Sequence, residues 1–263
     1  MERVVKGRNI AVVLAAGTGS RMKADVPKQF LLLGDKPLIY YALHTMEQSK
    51  IIDECILVTG EDDMERMRRD VVEKYGFHKV TAILPGGSER CFSVANAMRW
   101  IEAITNDAID RKDLVFIHDG ARPFVTEEIL ERTYQDALES GACVAAVPSK
   151  DTIKLADEEG FAKETPERKT VWCVQTPQVF DRELIVKAYR SFEEACKESA
   201  DGNMRTRFGT EGRLVTDDAS VVELFTEVKV KLTEGAYTNV KVTTPEDMAI
   251  AKVFFKEIFE KRG

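Results

Sequence analysis

Apolar residues along this chain fall in short unbroken runs that alternate with segments of helical spacing. The first run, Asn9 to Ala15 (NIAVVLA), stops at a glycine-bearing loop. A strand covered on both faces has no polar side to alternate with, so this run predicts a central strand. Similar runs at Glu54 to Thr59, Val80 to Leu84, Leu114 to His118 and Cys143 to Pro148 predict further strands, with helical patterns at 61–74, 88–105 and 126–140 between them. The alternation predicts an α/β fold, a Rossmann-like, mostly parallel sheet flanked by helices, in one domain spanning 1–263. Ligands of such sheets bind beyond the carboxyl ends of the strands, so the loops after Ala15, Leu84, His118 and Pro148 carry the search for function.

The pattern changes between Asp151 and about Val174, where short β-type runs (TIKL, VWCV) stand among polar turn residues. They hold too little apolar material for a core, so 151–174 is expected to project as a β-arm. Such an arm is marginal unless it packs on something, and a second copy of the chain would supply that surface, so a homodimer is expected. Residues 198–212 are polar, lack periodicity and are expected to form a mobile loop. Pro245 to Phe259 predicts a closing amphipathic helix with Thr243 or Thr244 as cap.

Composition narrows the partners. With 44% hydrophobic and 32% charged residues the chain can bury one large core. A net charge of -7 argues against a surface tuned to nucleic acid or anionic membrane. The N-terminal region lacks the apolar run of a signal peptide, and no later stretch reaches the roughly 20 apolar residues of a membrane span, so a cytoplasmic protein is expected. Cys55, Cys91, Cys143, Cys173 and Cys196 are scattered without a CxxC pair, which indicates neither a disulfide framework nor a zinc site.

The candidate chemistry begins where the first strand ends. Ala15-Ala16-Gly17-Thr18-Gly19-Ser20-Arg21-Met22 is followed by Pro27-Lys28-Gln29. Small residues let backbone amides approach phosphates, and Arg21 and Lys28 add positive charge, so the string reads as a triphosphate cradle. No Gly-Lys-Ser/Thr follows as in a P-loop, and Met22 replaces the third glycine of a dinucleotide fingerprint. Asp119 stands at a strand end, where a carboxylate can ligate Mg²⁺ while the cation neutralises nucleotide phosphate; pairing with Arg122 is the plainer alternative. Arg122 and Arg168 have the guanidinium geometry for a substrate phosphate, and Lys241 offers a compact charge. His118 reads as a packed or hydrogen-bonded strand-end histidine. Asp217 and Asp218 could supply a second metal ligand or simply favour a helix N-terminus.

The string LAAGTGSRM followed by PKQ resembles the N-terminal signature of nucleotidyltransferases that activate sugars and polyols. With His118-Asp119-Gly120-Ala121-Arg122-Pro123, Asp151-Thr152-Ile153-Lys154, Gln175-Thr176-Pro177-Gln178, Thr216-Asp217-Asp218-Ala219-Ser220 and Asn239-Val240-Lys241-Val242-Thr243 in that order, nearly the whole chain resembles the 2-C-methyl-D-erythritol 4-phosphate cytidylyltransferases. The resemblance implies CTP as co-substrate, Mg²⁺, and nucleotide binding by Ala15, Ala16, Gly17, Gly86, Gly87, Arg90, Ser93, Asp119 and Gly120, with GGSERCFSV against cytosine and ribose. It implies that Arg122, Thr152, Thr176 and Lys241, together with Asp119, line the site of a small polyol phosphate. Arg168 would reach that site from the neighbouring subunit's arm. Arg21, Lys28 and Lys241 are the expected catalytic set, because two anions must meet and cations must offset their repulsion. The loop at 198–212 looks long for the family, and Glu234-Gly235-Ala236-Tyr237-Thr238 precedes Asn239 where a shorter polar residue often follows the glycine. A ribitol 5-phosphate cytidylyltransferase, a non-catalytic nucleotide-binding module and a structural interaction protein are the competing readings.

Overall fold

The computed structural model describes residues 7–17, 22, 26–104, 112–198, 207–208 and 213–260. Arg21 and most of the loop at 198–212 lie outside the described residues. Seven strands form the central sheet: β1 (Asn9–Ala15), β2 (Glu54–Thr59), β3 (Val80–Pro85), β4 (Leu114–Asp119), β5 (Ala142–Pro148), β6 (Trp172–Asp181) and β7 (Lys231–Glu234), in the spatial order β7-β5-β6-β4-β1-β2-β3. All neighbours run parallel except β6, which is antiparallel to both β4 and β5.

Side chains alternate across a strand, so each strand feeds two layers. On one face Ile10 and Val12 pack with Val94, Met98 and Ile101 of α2 (Arg90–Ile104), Tyr189 and Phe192 of α4 (Arg182–Glu198), and Val221 and Val222 of α5 (Asp218–Phe225). On the other, Ala11 and Val13 meet Ile39, Leu43 and Met46 of α1 (Leu38–Gln48) and Ile129 and Leu130 of α3 (Glu127–Ser140). A fully buried large side chain contributes roughly 1.5–3 kcal/mol, so these two layers hold the sheet. A third cluster joins Leu33, Leu38, Tyr41 and Phe124 to Met248 and Ala251 of α6 (Pro245–Phe255), the expected closing helix.

The helix ends follow local chemistry. Thr244 caps α6 by accepting from the Asp247 N–H, while Asp247 accepts back from Thr244, and Pro245 supplies a pre-set first turn. Gly141 ends α3 at φ +77°, a left-handed turn that glycine adopts without Cβ strain.

Three expectations change. The segment 61–74 is not one regular helix: a 3₁₀ turn at Glu61–Asp63 leads into an α turn at Met64–Met67 and a wider π turn at Arg68–Glu73. The β-branched pair Val71-Val72, which crowds a preceding turn, falls in the wide part. VWCV does not belong to a free-standing arm. Trp172, Cys173 and Val174 begin β6 and pair with Pro148, Val147 and Ala146 of β5. The projecting part therefore ends before Trp172, and its only ladder joins Leu155–Ala156 to Ala162–Glu164. TIKL contributes only Leu155 to that ladder.

Candidate active site

The chain leaves β1 for α1 on one face, returns through β2 and β3 to α2 on the other, and enters β4 on the far side of β1. The order reverses between β1 and β4, the place where open α/β sheets bind ligands. A pocket of about 380 Å³ lies there, at the carboxyl ends of the strands. Ala15, Ala16, Gly17, Lys28, Gly87, Arg90, Ser93, Asp119, Gly120 and Lys241 all line it, so most of the sequence-derived set converges.

The walls are held tightly. At Gly86 any side chain would overlap Ala16 and crowd Ser93 Oγ, so only glycine lets the loops after β1 and β3 close together. Ser93 Oγ accepts the Gly87 N–H at 3.0 Å and donates to Glu89 O at 3.1 Å, which fixes the glycine pair at the start of α2. Lys28 sits in a short 3₁₀ turn, Lys28–Phe30. Its Cε and Nζ stand 3.7 and 3.9 Å from where a Cβ on Gly17 would lie, which places the ammonium directly against the loop after β1.

Asp119 is the electrostatic centre, 7% exposed at the end of β4. Lys241 Nζ stands 2.8 Å from one carboxylate oxygen and Arg90 Nε 3.2 Å from the other, with Arg122 Nε at 3.8 Å. The pairing is thus closer to Lys241 and Arg90 than to Arg122. Burial opposes the charge of Asp119, but Arg90, Lys241 and Arg122 outweigh it and hold the carboxyl far below the usual carboxylate range. Among the described residues no group of three or more metal-binding side chains exists. Of the pocket's acidic residues, Asp119 and Glu89, Asp119 stands at the strand end beside the glycine loop, and such a carboxylate fits Mg²⁺, which binds through one or two carboxylates together with substrate phosphates.

Arg90 is committed more deeply than its expected place against a base and ribose implies. Its Nη1 and Nη2 donate to both oxygens of Asp218 at 2.9 and 2.7 Å, and Tyr189 Oη donates to Asp218 at 2.6 Å. Asp218 is fully buried, and although burial works against the guanidinium charge, Asp218 and Asp119 raise the Arg90 pKa well above its ordinary value. The acidic pair is thereby resolved: Asp217 caps α5 by accepting from the Ser220 N–H at 2.9 Å, and Asp218 is the buried partner of Arg90. Gln178 ties this helix start to β6, accepting from the Asp218 and Ala219 amides and donating to Asp217.

His118 is fully buried behind Asp119. Thr176 Oγ1 accepts the Asp119 N–H at 3.0 Å and lies 3.0 Å from His118 Nδ1, while His118 Nε2 lies 3.2 Å from Arg122 O. Because the Arg122 carbonyl can only accept, a neutral imidazole donates to it from Nε2, which leaves Nδ1 to accept the Thr176 hydroxyl proton. Burial agrees, lowering the His118 pKa from 6.5 to about 4. The network clamps the turn that carries Asp119 and Arg122.

Four expected substrate residues stand off the pocket wall. Thr176, 3% exposed, spends its hydroxyl in that network. Arg122 donates from Nη1 to Asn239 O at 2.7 Å, behind Asp119, and burial lowers its pKa. Thr152 and Arg168 are exposed on the arm, where Arg168 Nη2 donates to Thr152 Oγ1 at 2.8 Å. The structure brings these two together, but not into the pocket of their own chain.

Sequence reasoning missed the roles of Gln175, Gln178, Tyr189 and Asn239. The side chains of Gln175 and Asn239 join QTPQ to the loop before Lys241, with Asn239 Nδ2 donating to Thr176 O at 2.9 Å and to Gln175 Oε1 at 3.3 Å. The polar residues flanking each motif were the available signal; their partners are 63 and 64 positions away.

A small-residue phosphate cradle beside a carboxylate ringed by cations, at the switch point of an α/β sheet, defines a nucleotidyltransferase-class domain. The family model for 2-C-methyl-D-erythritol 4-phosphate cytidylyltransferase matches residues 9–257, and the chain belongs to that family. A relative of that name from Lachnospira eligens is 43% identical over 249 residues, 94% of this chain and 99% of its own. One from Alkaliphilus oremlandii is 38% identical over 262 residues, the full length of both. The crystal structure of 4-diphosphocytidyl-2C-methyl-D-erythritol synthase from Anaerococcus prevotii matches with a TM-score of 0.76 at 30% identity, covering 95% of this chain and 96% of that one.

Proposed function

We propose that the chain transfers CMP from CTP to 2-C-methyl-D-erythritol 4-phosphate, releasing pyrophosphate. The observation that carries this reading is the convergence of Ala15–Gly17, Lys28, Asp119 and Lys241 on one pocket in a chain of this family. A phosphate oxygen of the acceptor attacks the α-phosphorus of CTP. The new P–O bond forms as the bond from the α-phosphorus to the bridging oxygen breaks, and that electron pair leaves with pyrophosphate. No covalent enzyme intermediate and no general base are required, since the attacking oxygen is already an anion.

Catalysis then rests on positioning and on neutralising charge. Lys28 and Arg21 are assigned to the triphosphate, and Lys241 to the acceptor and α-phosphoryl oxygens. Asp119 and the phosphates of CTP would hold Mg²⁺, which supplies further neutralisation of that charge. Asp119 also orients Lys241, whose ammonium lies 2.8 Å from it. Ala16, Gly17, Gly86, Gly87, Arg90, Ser93 and Gly120 are assigned to the nucleotide, and Arg122, Thr152, Thr176 and Arg168 to holding or framing the acceptor.

The reading includes a cytoplasmic homodimer in which Arg168 completes the neighbouring site. Ile153, Leu155 and Phe161 on the arm are exposed, Phe161 at 68%, and a second copy would cover them. Five unpaired cysteines suit a reducing compartment. Pyrophosphate release with CTP, Mg²⁺ and either methylerythritol 4-phosphate or ribitol 5-phosphate tests the assignment, with ATP, GTP and UTP as controls. Selective turnover of methylerythritol phosphate with CTP is expected; turnover of ribitol phosphate instead, or none with any pair, overturns it.

A further inference from the structure

Tyr237 lies in the turn between β7 and Lys241 and touches the segment where the arm leaves β5. Its Oη donates to Pro148 O, the last residue of β5, at 2.9 Å. Lys150 Nζ lies over its ring, 3.7 Å from the centroid. Pro148 and Lys150 form the root of the arm, which Ser149 closes by donating its N–H to Val171 O at 2.9 Å. Tyr237 therefore grips the arm where it leaves the sheet.

The turn that carries Tyr237 is itself fixed from below. Gly235 N donates to Ala146 O at 2.8 Å, Gln175 Nε2 donates to Ala236 O at 2.8 Å, and Arg132 Nε donates to Glu234 O at 2.8 Å. Four residues beyond Tyr237 the chain presents Lys241 to Asp119. The segment that Tyr237 holds against the arm therefore leads, four residues on in the chain, to the cation at the pocket.

We propose that Tyr237, with Lys150, is a positioning residue that sets the angle of the arm, and through it the binding of the acceptor phosphate but not of the nucleotide. The proposal rests on the reading that Arg168 and Thr152 serve the acceptor. A neutral hydrogen bond and an exposed cation–π contact each contribute modestly, so their joint loss corresponds to roughly a five- to twentyfold effect.

The test uses the full-length protein with Tyr237→Ala, Tyr237→Phe, Lys150→Ala and, as a reference, Arg168→Ala. Tyr237→Ala is expected to raise KM for methylerythritol phosphate about five- to twentyfold, leave KM for CTP within about twofold, and speed amide hydrogen exchange across 149–171. Tyr237→Phe, which keeps the ring under Lys150, should fall between wild type and Tyr237→Ala. Unchanged acceptor KM and unchanged exchange in Tyr237→Ala, or an equal rise in both KM values, overturn the proposal. If Arg168→Ala raises the acceptor KM while Tyr237→Ala does not, the latch alone fails; if Arg168→Ala has no effect, the reading beneath it fails.

Discussion

The pocket and the arm present their functional cations in opposite ways. Around Asp119, charges are held by burial and by one another. Arg90 is clamped by a fully buried Asp218, Lys241 is drawn to Asp119, and His118 braces the turn beneath. On the arm, Arg168 donates to an exposed threonine, and Ile153, Leu155 and Phe161 of the same arm face outward. A group meant to meet a transition state is preorganised by its own fold, whereas one meant for a neighbouring molecule is left for that molecule to order.

The largest effect expected from this contrast is on rate at the pocket. Lys28→Ala and Lys241→Ala should each lower turnover by about 10²- to 10⁴-fold while circular dichroism and the melting temperature stay close to wild type. Near-normal kinetics in both would break the assignment of the pocket. Asp119→Asn should shift the Mg²⁺ dependence of the rate.

Next in size is Asp218→Ala, which leaves the Arg90 guanidinium facing a buried gap. Stranding one partner of a buried pair costs about 3–5 kcal/mol, of which the partial exposure of Arg90 spares some, so a loss of about 3 kcal/mol in urea unfolding is expected. A loss below 1 kcal/mol would show that the pair is not a structural clamp.

His118 sharpens the same point through pH. Burial lowers its pKa from 6.5 to about 4, so between those values the unfolded chain binds a proton that the folded chain does not. Stability therefore rises with pH across that window, by up to about 3 kcal/mol, is complete above it and is lost below it. Chemical denaturation from pH 4 to 7 should show the slope in wild type and a flatter one in His118→Gln; equal slopes would contradict it.

The smallest effect on stability belongs to the arm. Phe161→Ser removes an exposed side chain and should change unfolding by less than about 0.5 kcal/mol, yet weaken self-association in sedimentation velocity. A monomeric wild type, or an unaltered association in the variant, would separate the arm from any dimer.

Much of this was legible in the sequence because it is local. The continuous apolar runs found β1, β2, β4 and β5, since strands buried on both faces announce themselves without alternation, and β3, half-buried at the sheet edge, was found by its run alone. The glycine-rich string and PKQ pointed to the pocket wall, and Thr243-Thr244-Pro245 marked the start of α6. What escaped was non-local or divided between neighbours. β7 is a four-residue edge strand, KLTE, with only Thr233 buried, too short for a periodic signal. VWCV read as arm because its apolar residues resemble any short strand, and only the pairing with β5 shows where it belongs. Asp218 looked like a helix-start acid because its neighbour Asp217 is one; its bond to Arg90 spans 128 positions. The motif marks Thr176 for the acceptor, but does not show that its hydroxyl also ties His118 to the Asp119 amide, 58 and 57 positions away.

The central claim, attack by the acceptor phosphate on the α-phosphorus of CTP, is tested most directly by isotope tracing. Methylerythritol 4-phosphate carrying ¹⁸O in its non-bridging phosphate oxygens would be turned over with unlabelled CTP and Mg²⁺, and the products read by ³¹P NMR and mass spectrometry. The account predicts a diphosphate-linked product with ¹⁸O in the oxygen bridging its two phosphorus atoms, and unlabelled pyrophosphate. Label in the pyrophosphate, or an unlabelled bridge, would contradict it.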